Sequence, residues 1–379
     1  AMSITVGKAI GQGRHIKAAR IATESLMLSL LLTILLCAVG YFLTDSLFAK
    51  LGATPSTIVL IRQYMDIWFG FAVLLAMPMI CKAAIRATGD TKWPSILMMV
   101  SGLVNVVLDP ILIFGFGPIP AMGMAGAAWA TAAAWLFASV AAIYLLSVRE
   151  KLLVLKLPPV GELFHVWRDV LTLAGPICLA NMLGPMSIGA LTAIVARYGE
   201  SSVAAFGVGG RVEAFSLVVA FAVTAALSPY LSQNLGAGNG ERARTAVRNS
   251  TRFIFIFQLA VWGLLAAFAP SLAGIFSDDP AVIGVAIYYL RIMPLAVVCY
   301  AVIIVINTAF NAYHQSGKTL ALSLLRVVVF VIPLAWLGAW KLGLAGVFMG
   351  AILGSVLSLI AVIFTYGRMV KRTSTEAGE

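Results

Sequence analysis

The sequence predicts an all-α integral membrane protein made of two helical bundles, and three observations lead to this fold class. The 379 residues are 61% hydrophobic and 11% charged, which leaves too little polar surface to cover a water-soluble fold of this size. The apolar residues form about ten segments that are long enough to cross a bilayer. Motifs of the first half recur in the second, which indicates two related bundles.

The ten predicted spans follow one another with short loops between them. Residues 1–13 have the pattern of a helix end that stops at glycines, without the charged start or cleavage site of a signal peptide. The spans cover residues 22–48, 58–85, 93–117, 123–147, 167–197, 203–232, 252–276, 281–311, 319–340 and 343–366.

Basic residues in the loops predict how the spans are oriented. If the spans alternate in direction, nineteen of the 26 Lys and Arg residues reach one side, and only Lys50, Arg197 and Lys341 reach the other. By the positive-inside rule, the basic side is cytoplasmic. We therefore expect a multi-pass protein of the cell membrane. Its net charge of +11 anchors it in the lipid bilayer and does not indicate nucleic acid as a partner.

Short motifs that recur at a nearly constant offset indicate an internal repeat. Gly11-Gln12-Gly13 matches Gly236-Ala237-Gly238, and Gly123-Met124-Ala125-Gly126 matches Gly343-Leu344-Ala345-Gly346. The second half has six spans and the first has four and a stub, so we expect the first bundle to lack two spans. When these two spans are counted, each bundle has six spans. Because six is an even number, we expect both bundles to enter the membrane in the same direction, as parallel repeats related by an axis along the membrane normal.

These observations predict four regions along the chain. An incomplete N-terminal bundle covers residues 1–148, and a C-terminal bundle of six spans covers residues 167–368. A cytoplasmic linker at 149–166, marked by Pro158-Pro159, joins the two bundles, and a cytoplasmic tail covers 369–379.

A single carboxylate, Asp109, lies inside the third predicted span. A charge at membrane depth costs roughly 2.5–3.5 kcal/mol on insertion scales, so such acids usually face the protein interior and handle ions or substrates. Asn105 lies one turn earlier on the same helix face, and Thr131 is predicted at matching depth, so the three side chains form a buried polar cluster. Pro110 cannot donate to the carbonyl of Val106, which predicts a kink. The alternative is an acid neutralised in a structural hydrogen bond.

Little in the sequence favours an enzyme. Intramembrane catalysis needs paired acids, a Ser/His pair or a metal cluster within the spans, and all three histidines lie in or beside predicted loops. The four cysteines follow no recurring spacing, so neither a disulfide framework nor a metal site is indicated. We expect a protein that is not an enzyme and that binds no metal and no cofactor.

Four motifs together resemble the multidrug and toxic compound extrusion (MATE) family, and the Asp109-Pro110 element resembles its DinF-type branch. The motifs are Arg86-Ala-Thr-Gly-Asp-Thr-Lys-Trp-Pro94, Asn105-x-x-x-Asp109-Pro110, Gly126-Ala-Ala-Trp-Ala-Thr131, and Gln233-Asn-Leu-Gly-Ala-Gly-Asn239 with Arg242-Ala243.

This resemblance implies a fold of two six-span bundles that opens alternately to the two sides of the membrane. It implies export of cationic or amphipathic, drug-like compounds in exchange for protons or sodium ions. It also implies that Asn105, Asp109 and Thr131 form a network whose protonation changes during transport. The family's essential first-span acid is not in this chain, and residues 172–195 lack the glutamate of the other bacterial branch. In the second half, Ile332 occupies the position that is equivalent to Asp109 in the first half. We therefore expect ion coupling in the first bundle.

Four other charged residues inside the spans have two interpretations each. Arg211 and Glu213 are two residues apart, so they point in different directions and each needs another partner. They have either a structural role or a place in the transport path. Asp66 and Arg291 are equivalent positions of the repeat with opposite charges. They either form an outer gate or stay solvated near the membrane interface.

Two other functions stay open. A lipid-linked oligosaccharide flippase of the same superfamily needs a strongly cationic cavity, whereas Arg211 and Arg326 are the deep cations predicted here. A truncated, nonfunctional fragment of the family is the second alternative. The sequence does not predict an oligomeric state, and we expect a monomer.

Overall fold

The computed structural model describes residues 1–50, 52–154 and 160–375 of the chain, and the described part is built from helices. Short π-helical stretches at Leu145–Arg149 and Leu325–Val331 and a 3-10 turn at Ala196–Tyr198 join some of them. The α-helices are α1 (Met2–Gly11), α2 (His15–Lys50), α3 (Pro55–Ala87), α4 (Lys92–Phe114), α5 (Gly123–Tyr144), α6 (Val160–Val195), α7 (Glu200–Gly236), α8 (Gly240–Ala267), α9 (Ala269–Phe276), α10 (Pro280–Ile292), α11 (Pro294–Ala312), α12 (Ser316–Leu324) and α13 (Ile332–Thr375).

The helices confirm the predicted all-α membrane fold. In the described ranges, nine helices are long and apolar enough to cross a membrane. The last of them, Ser316–Lys371, has 56 residues, or about 84 Å of helix, which is enough for two crossings. It bends at Gly343, whose φ of 63° suits glycine. The predicted span 281–311 is divided before Pro294, because proline cannot continue the hydrogen-bond ladder.

Several helices extend beyond the predicted spans. Helix α8 begins at Gly240 instead of residue 252, α6 begins at Val160 inside the predicted linker, and α13 continues to Thr375 inside the predicted tail. The added turns of α8 and α13 contain Lys and Arg, which are good helix formers, so these two helices continue through basic residues after they leave the hydrocarbon region. Pro158, Pro159 and residues 376–379 lie outside the described residues. The predicted bundle boundaries, and the two spans that the first bundle is expected to lack, stay predictions.

Two compact units divide the chain, Met2–Val170 and Leu171–Glu379, with Ala1 assigned to the second. The core of the first unit joins α1, α2, α3 and the end of α5 through buried side chains such as Val6, Cys81 and Leu146. The second unit is packed around α11, in which 13 of 19 residues are buried. Helix α11 contacts α7, α8 and α13, so it is the central helix of its unit.

Glycines let the last two membrane-spanning segments of each unit approach closely. In the first unit, a side chain on Gly126 of α5 would overlap the carbonyl group of Leu112 on α4. In the second, Gly338 and Gly346 lie against each other across the bend of α13. Small residues at helix contacts allow the close packing that holds helices together in lipid. Gly126 and Gly346 are equivalent positions of the repeat, so both halves place a glycine at a close approach, although the residues that it contacts differ.

We expect Gly126→Val to destabilise the first unit by about 1–3 kcal/mol, because the new side chain must push α4 and α5 apart. Gly102→Val is the matched control, since Gly102 on α4 has open space where a side chain would start. Thermal unfolding of the detergent-solubilised protein measures both. Equal melting temperatures for the two variants would contradict the glycine contact.

Candidate functional site

Asp109 is held by α4 in the first unit, with its side chain half-buried. The amide of Asn105, one turn earlier, donates to a carboxylate oxygen of Asp109 at 3.5 Å. This distance is at the long limit for a hydrogen bond, so the interaction is weak. No Lys or Arg side chain within residues 1–50, 52–154 and 160–375 forms an ion pair with Asp109. The carboxylate oxygens of Asp109 therefore keep most of their capacity to accept hydrogen bonds.

Pro110 follows the acid directly, and α4 continues through it as a helix to Phe114. Because proline has no N–H group, the carbonyl of Val106 receives no hydrogen bond from the position that normally supplies it. This carbonyl lies one turn from Asp109, so a break in the backbone ladder adjoins the acid.

Thr131 lies at the depth of Asn105 but is not hydrogen-bonded to the pair. The hydroxyl of Ser101 on α4 donates to the carbonyl of Ala134 on the antiparallel helix α5 at 3.1 Å. Asn105 and Thr131 each lie about one turn from this contact, on the same side of it. The Thr131 hydroxyl donates to Ala127 of its own helix at 2.9 Å. The structure thus joins Asn105 to Asp109 and places Thr131 on the neighbouring helix at the level of Asn105, about one turn away from the level of Asp109 that the sequence predicts for it.

Aromatic side chains of α3 and α5 form two pairs close to this level. The rings of Trp68 and Trp135 are 5.8 Å apart, and those of Phe71 and Trp129 are 5.2 Å apart. Trp129 and Trp135 lie two residues before and four residues after Thr131 on α5. These pairs are absent from the predicted sites, because periodicity places residues on helix faces but does not show which faces meet.

The predicted gate residue Asp66 pairs within its own unit. Arg62 donates to Asp66 at 3.2 Å and to Asp45 on α2 at 2.7 and 3.0 Å. Arg62 is absent from the predicted sites, although its spacing of four residues from Asp66 signals an ion pair on a helix. The side chain of Arg291 is exposed, and its carbonyl accepts from the Trp262 indole at 2.8 Å. A gate between Asp66 and Arg291 stays a prediction.

Glu213 on α7 has a tyrosine partner and does not pair with Arg211. The Tyr289 side chain of α10 interacts with the Glu213 carboxyl group, whose Oε1 atom is buried with no hydrogen-bond partner among the described residues. Tyr289 is fully buried and its ring occupies the space beside Gly209 of α7. Arg211 is exposed. Tyr289 is missing from the predicted sites. The signal for it in the sequence is that Tyr64 stands 225 residues earlier, at the same offset that relates Gly11 to Gly236 in the repeat.

Among the described residues, no group of three or more His, Cys, Asp and Glu side chains could hold a metal ion. Asp109 and Asn105 supply one carboxylate and one amide, which suits a proton better than a metal. The expectation that no metal or cofactor is bound stays a prediction.

We expect Tyr289→Phe to destabilise the second unit by about 1–3 kcal/mol, because it removes the polar partner of Glu213, whose Oε1 atom is buried without a hydrogen bond in the described part of the chain. Tyr288→Phe is the control, since Tyr288 is the neighbouring tyrosine and packs its ring near Phe348. Thermal unfolding of the two purified variants tests this difference. A melting temperature for Tyr289→Phe at or above that of Tyr288→Phe would refute the contact.

Comparisons with known proteins agree with this architecture. The chain is 35% identical over 378 residues to a FAD transporter of Shewanella oneidensis, covering 99% of this chain and 84% of that protein. It is 24% identical to the probable multidrug resistance protein NorM of Thermotoga maritima, covering 98% and 80% of the two chains. The crystal structure of the Vibrio cholerae MATE transporter VcmN in the bent form matches with a TM-score of 0.91 and 28% identity, covering 98% and 83%.

The family described as MatE matches residues 1–111 and 176–337 of the chain. The matched residues include Asn105, Asp109 and Glu213. The relatives to which the chain is similar include transporters. The chain therefore belongs to the multidrug and toxic compound extrusion (MATE) family of multi-pass membrane transporters.

Proposed function

We propose that this protein is an antiporter that exports amphipathic organic compounds in exchange for protons by alternating access. The observation that carries the proposal is Asp109, a carboxylate on a membrane-spanning helix with one weak hydrogen bond and no cation partner in the described part of the chain. A charged carboxylate is costly where water is scarce, and binding a proton removes this cost. Proton uptake therefore favours the conformation in which Asp109 is shielded from water.

Coupling requires that proton and substrate favour different conformations or compete for one cavity. Protonation removes the charge of Asp109 and gives it an O–H donor, which changes its hydrogen bonding with Asn105. Because Pro110 interrupts the backbone ladder beside the acid, this change acts on a helix that bends at little cost. A proton taken up from outside would release the bound substrate, and loss of the proton to the cytoplasm would reset the site.

Sodium ions are the second candidate for the coupling ion. A metal cation needs several oxygen ligands in a fixed arrangement, and only Asn105 and Asp109 are joined by a hydrogen bond here. Thr131 on the neighbouring helix would have to leave Ala127 to become a third ligand. The proton is favoured because it needs only the carboxylate.

FAD is the first candidate substrate, and cationic or amphipathic drug-like compounds are the second. The relative named FAD transporter shares 35% identity with this chain, against 24% for the NorM relative named for multidrug resistance. A flavin is a flat aromatic ring system that packs well on tryptophan and phenylalanine rings. The two aromatic pairs of α3 and α5 supply such rings, and Trp129 is 41% exposed.

The remaining expectations belong to the same proposal. The protein would lie in the cell membrane as a monomer, with its basic loops in the cytoplasm, and would work without catalysis or a bound cofactor. Its Asp109-Pro110 element favours the DinF-type branch of the family. A flippase for lipid-linked oligosaccharides is disfavoured because Arg211 is exposed and Arg326 lies over the ring of Tyr300 at 4.5 Å, so no group of deep cations forms in the described ranges.

We expect Asp109→Asn to reduce proton-driven export at least tenfold while substrate binding is retained, because asparagine cannot exchange a proton. Asp278→Asn is the matched control, since Asp278 is exposed in a loop. Both variants are reconstituted in liposomes, and export of ethidium is followed by fluorescence under an imposed pH gradient. Export by Asp109→Asn at the wild-type rate would rule out the coupling role.

We expect the same liposomes to move FAD faster than protein-free liposomes, as measured by flavin fluorescence. Trp135→Ala is expected to slow FAD transport several-fold, because the flavin ring loses a stacking partner. Trp340→Ala is the control, since Trp340 is 81% exposed. If FAD does not move while ethidium export still depends on Asp109, the substrate assignment fails and the coupling proposal stands.

A further inference from the structure

A cavity of about 610 Å³ lies at one end of the second unit. It is bordered by the first turns of α8 and by the last turns of α13, and Ile306 of α11 contributes to its wall. None of its lining residues belongs to the transport site described above. The cavity is polar along α8 and apolar along α11 and α13, so it has two chemically different walls.

Three arginines, Arg244, Arg248 and Arg252, form the polar wall. Their spacing of four residues places them on one face of α8. Within the described ranges, Arg248 and Arg252 are exposed and have no acidic partner. Two adjacent guanidinium groups without acids attract an anion with several oxygen atoms.

Arg244 is held in place by groups from other segments. It donates to Glu241 at 3.0 Å and to the carbonyl of Val370 on α13 at 3.2 Å. Tyr313, in the turn after α11, also hydrogen-bonds to Arg244. Burial raises the pKa of the Tyr313 phenol above its usual range, so the hydroxyl stays protonated at neutral pH. Arg244 is thus a fixed cation that ties α8 to α13 at this end of the cavity.

Two hydroxyl groups in the cavity wall have no hydrogen-bond partner among the described residues. They are the buried Oγ1 of Thr251 and the buried hydroxyl of Tyr366. Buried polar atoms are almost always paired, and those without a protein partner need a ligand or water. Both hydroxyls can donate to an anion that the arginines hold.

The opposite wall is apolar and consists of Ile306, Ile363 and Val370. Ile306 is 3% exposed, whereas Ile363 is 51% exposed on a membrane-spanning segment. The apolar wall therefore extends from the cavity onto a surface that suits an acyl chain. A free phosphate or nucleotide would gain nothing from this surface.

We propose that this cavity binds the headgroup of an anionic phospholipid. Its phosphate oxygens would accept hydrogen bonds from Arg248, Arg252 and the two hydroxyls, and one acyl chain would lie along Ile363. Charged arginine–phosphate contacts supply the affinity, and the apolar wall selects a lipid over a soluble phosphate.

The test compares Arg248→Gln and Arg252→Gln with Arg242→Gln in the full-length chain. Arg242 is the matched control because it is exposed on the same helix but does not line this cavity, and instead lines a neighbouring one with Tyr230 and Asn249. The probes are phosphatidylglycerol and phosphatidylcholine with eight-carbon chains, and glycerol phosphate. Ligand-dependent shifts of the melting temperature give the dissociation constants.

We expect phosphatidylglycerol to stabilise the protein more than the other two probes do. Its affinity should fall about tenfold in Arg248→Gln and Arg252→Gln and stay within twofold of wild type in Arg242→Gln. Tyr366→Phe leaves every charge in place and removes one hydroxyl donor, so it should weaken the binding of phosphatidylglycerol several-fold. Equal stabilisation by glycerol phosphate or by phosphatidylcholine would overturn the proposal, as would an equal loss of affinity in Arg242→Gln. Equal stabilisation by glycerol phosphate would show that the cavity binds anions without selecting lipids.

Discussion

The constraint on which this structure depends is that backbone polar groups inside a bilayer must be paired within the protein. The chain meets it with long helices, so helix association is left to side-chain packing. Glycines then decide where backbones touch, because lipid offers no hydrophobic driving force between apolar helices. Gly126 lies against Leu112 in the first unit, and Gly346 lies against Gly338 in the second. The two glycines Gly126 and Gly346 are equivalent positions of the repeat, whereas the residues they contact are not.

Polar side chains within the spans differ between the units. In the first unit, Asp109 has one weak hydrogen bond to Asn105, and its carboxylate oxygens can accept further hydrogen bonds. In the second, Ile332 stands at the equivalent position, and the acid is Glu213, which is joined to the buried Tyr289. A lightly paired acid can change its proton occupancy without disturbing the core, whereas a paired, buried one belongs to the packing. This difference assigns ion exchange to the first unit in our proposal and leaves Glu213 a structural role.

Charges near the ends of the helices add polar links between segments of the chain. Arg62 joins α2 to α3 by donating to two acidic partners, Asp45 and Asp66. Arg244 joins α8 to α13 through a backbone carbonyl. Long cationic side chains can do this because their stems lie along apolar surface while their charged ends reach polar groups. These two arginines therefore contribute to helix association.

Hydrophobicity and periodicity along the chain were sufficient for the all-α membrane fold and for the long apolar helices, because both depend on residues close in sequence. Helix ends were predicted less well, since basic residues continue a helix beyond the hydrocarbon. Only the tertiary structure decided three features. These are the partners of Asp66 and Glu213, the aromatic pairs beside Thr131, and the cavity along α8. Each depends on which faces of distant helices meet, and side-chain packing determines that.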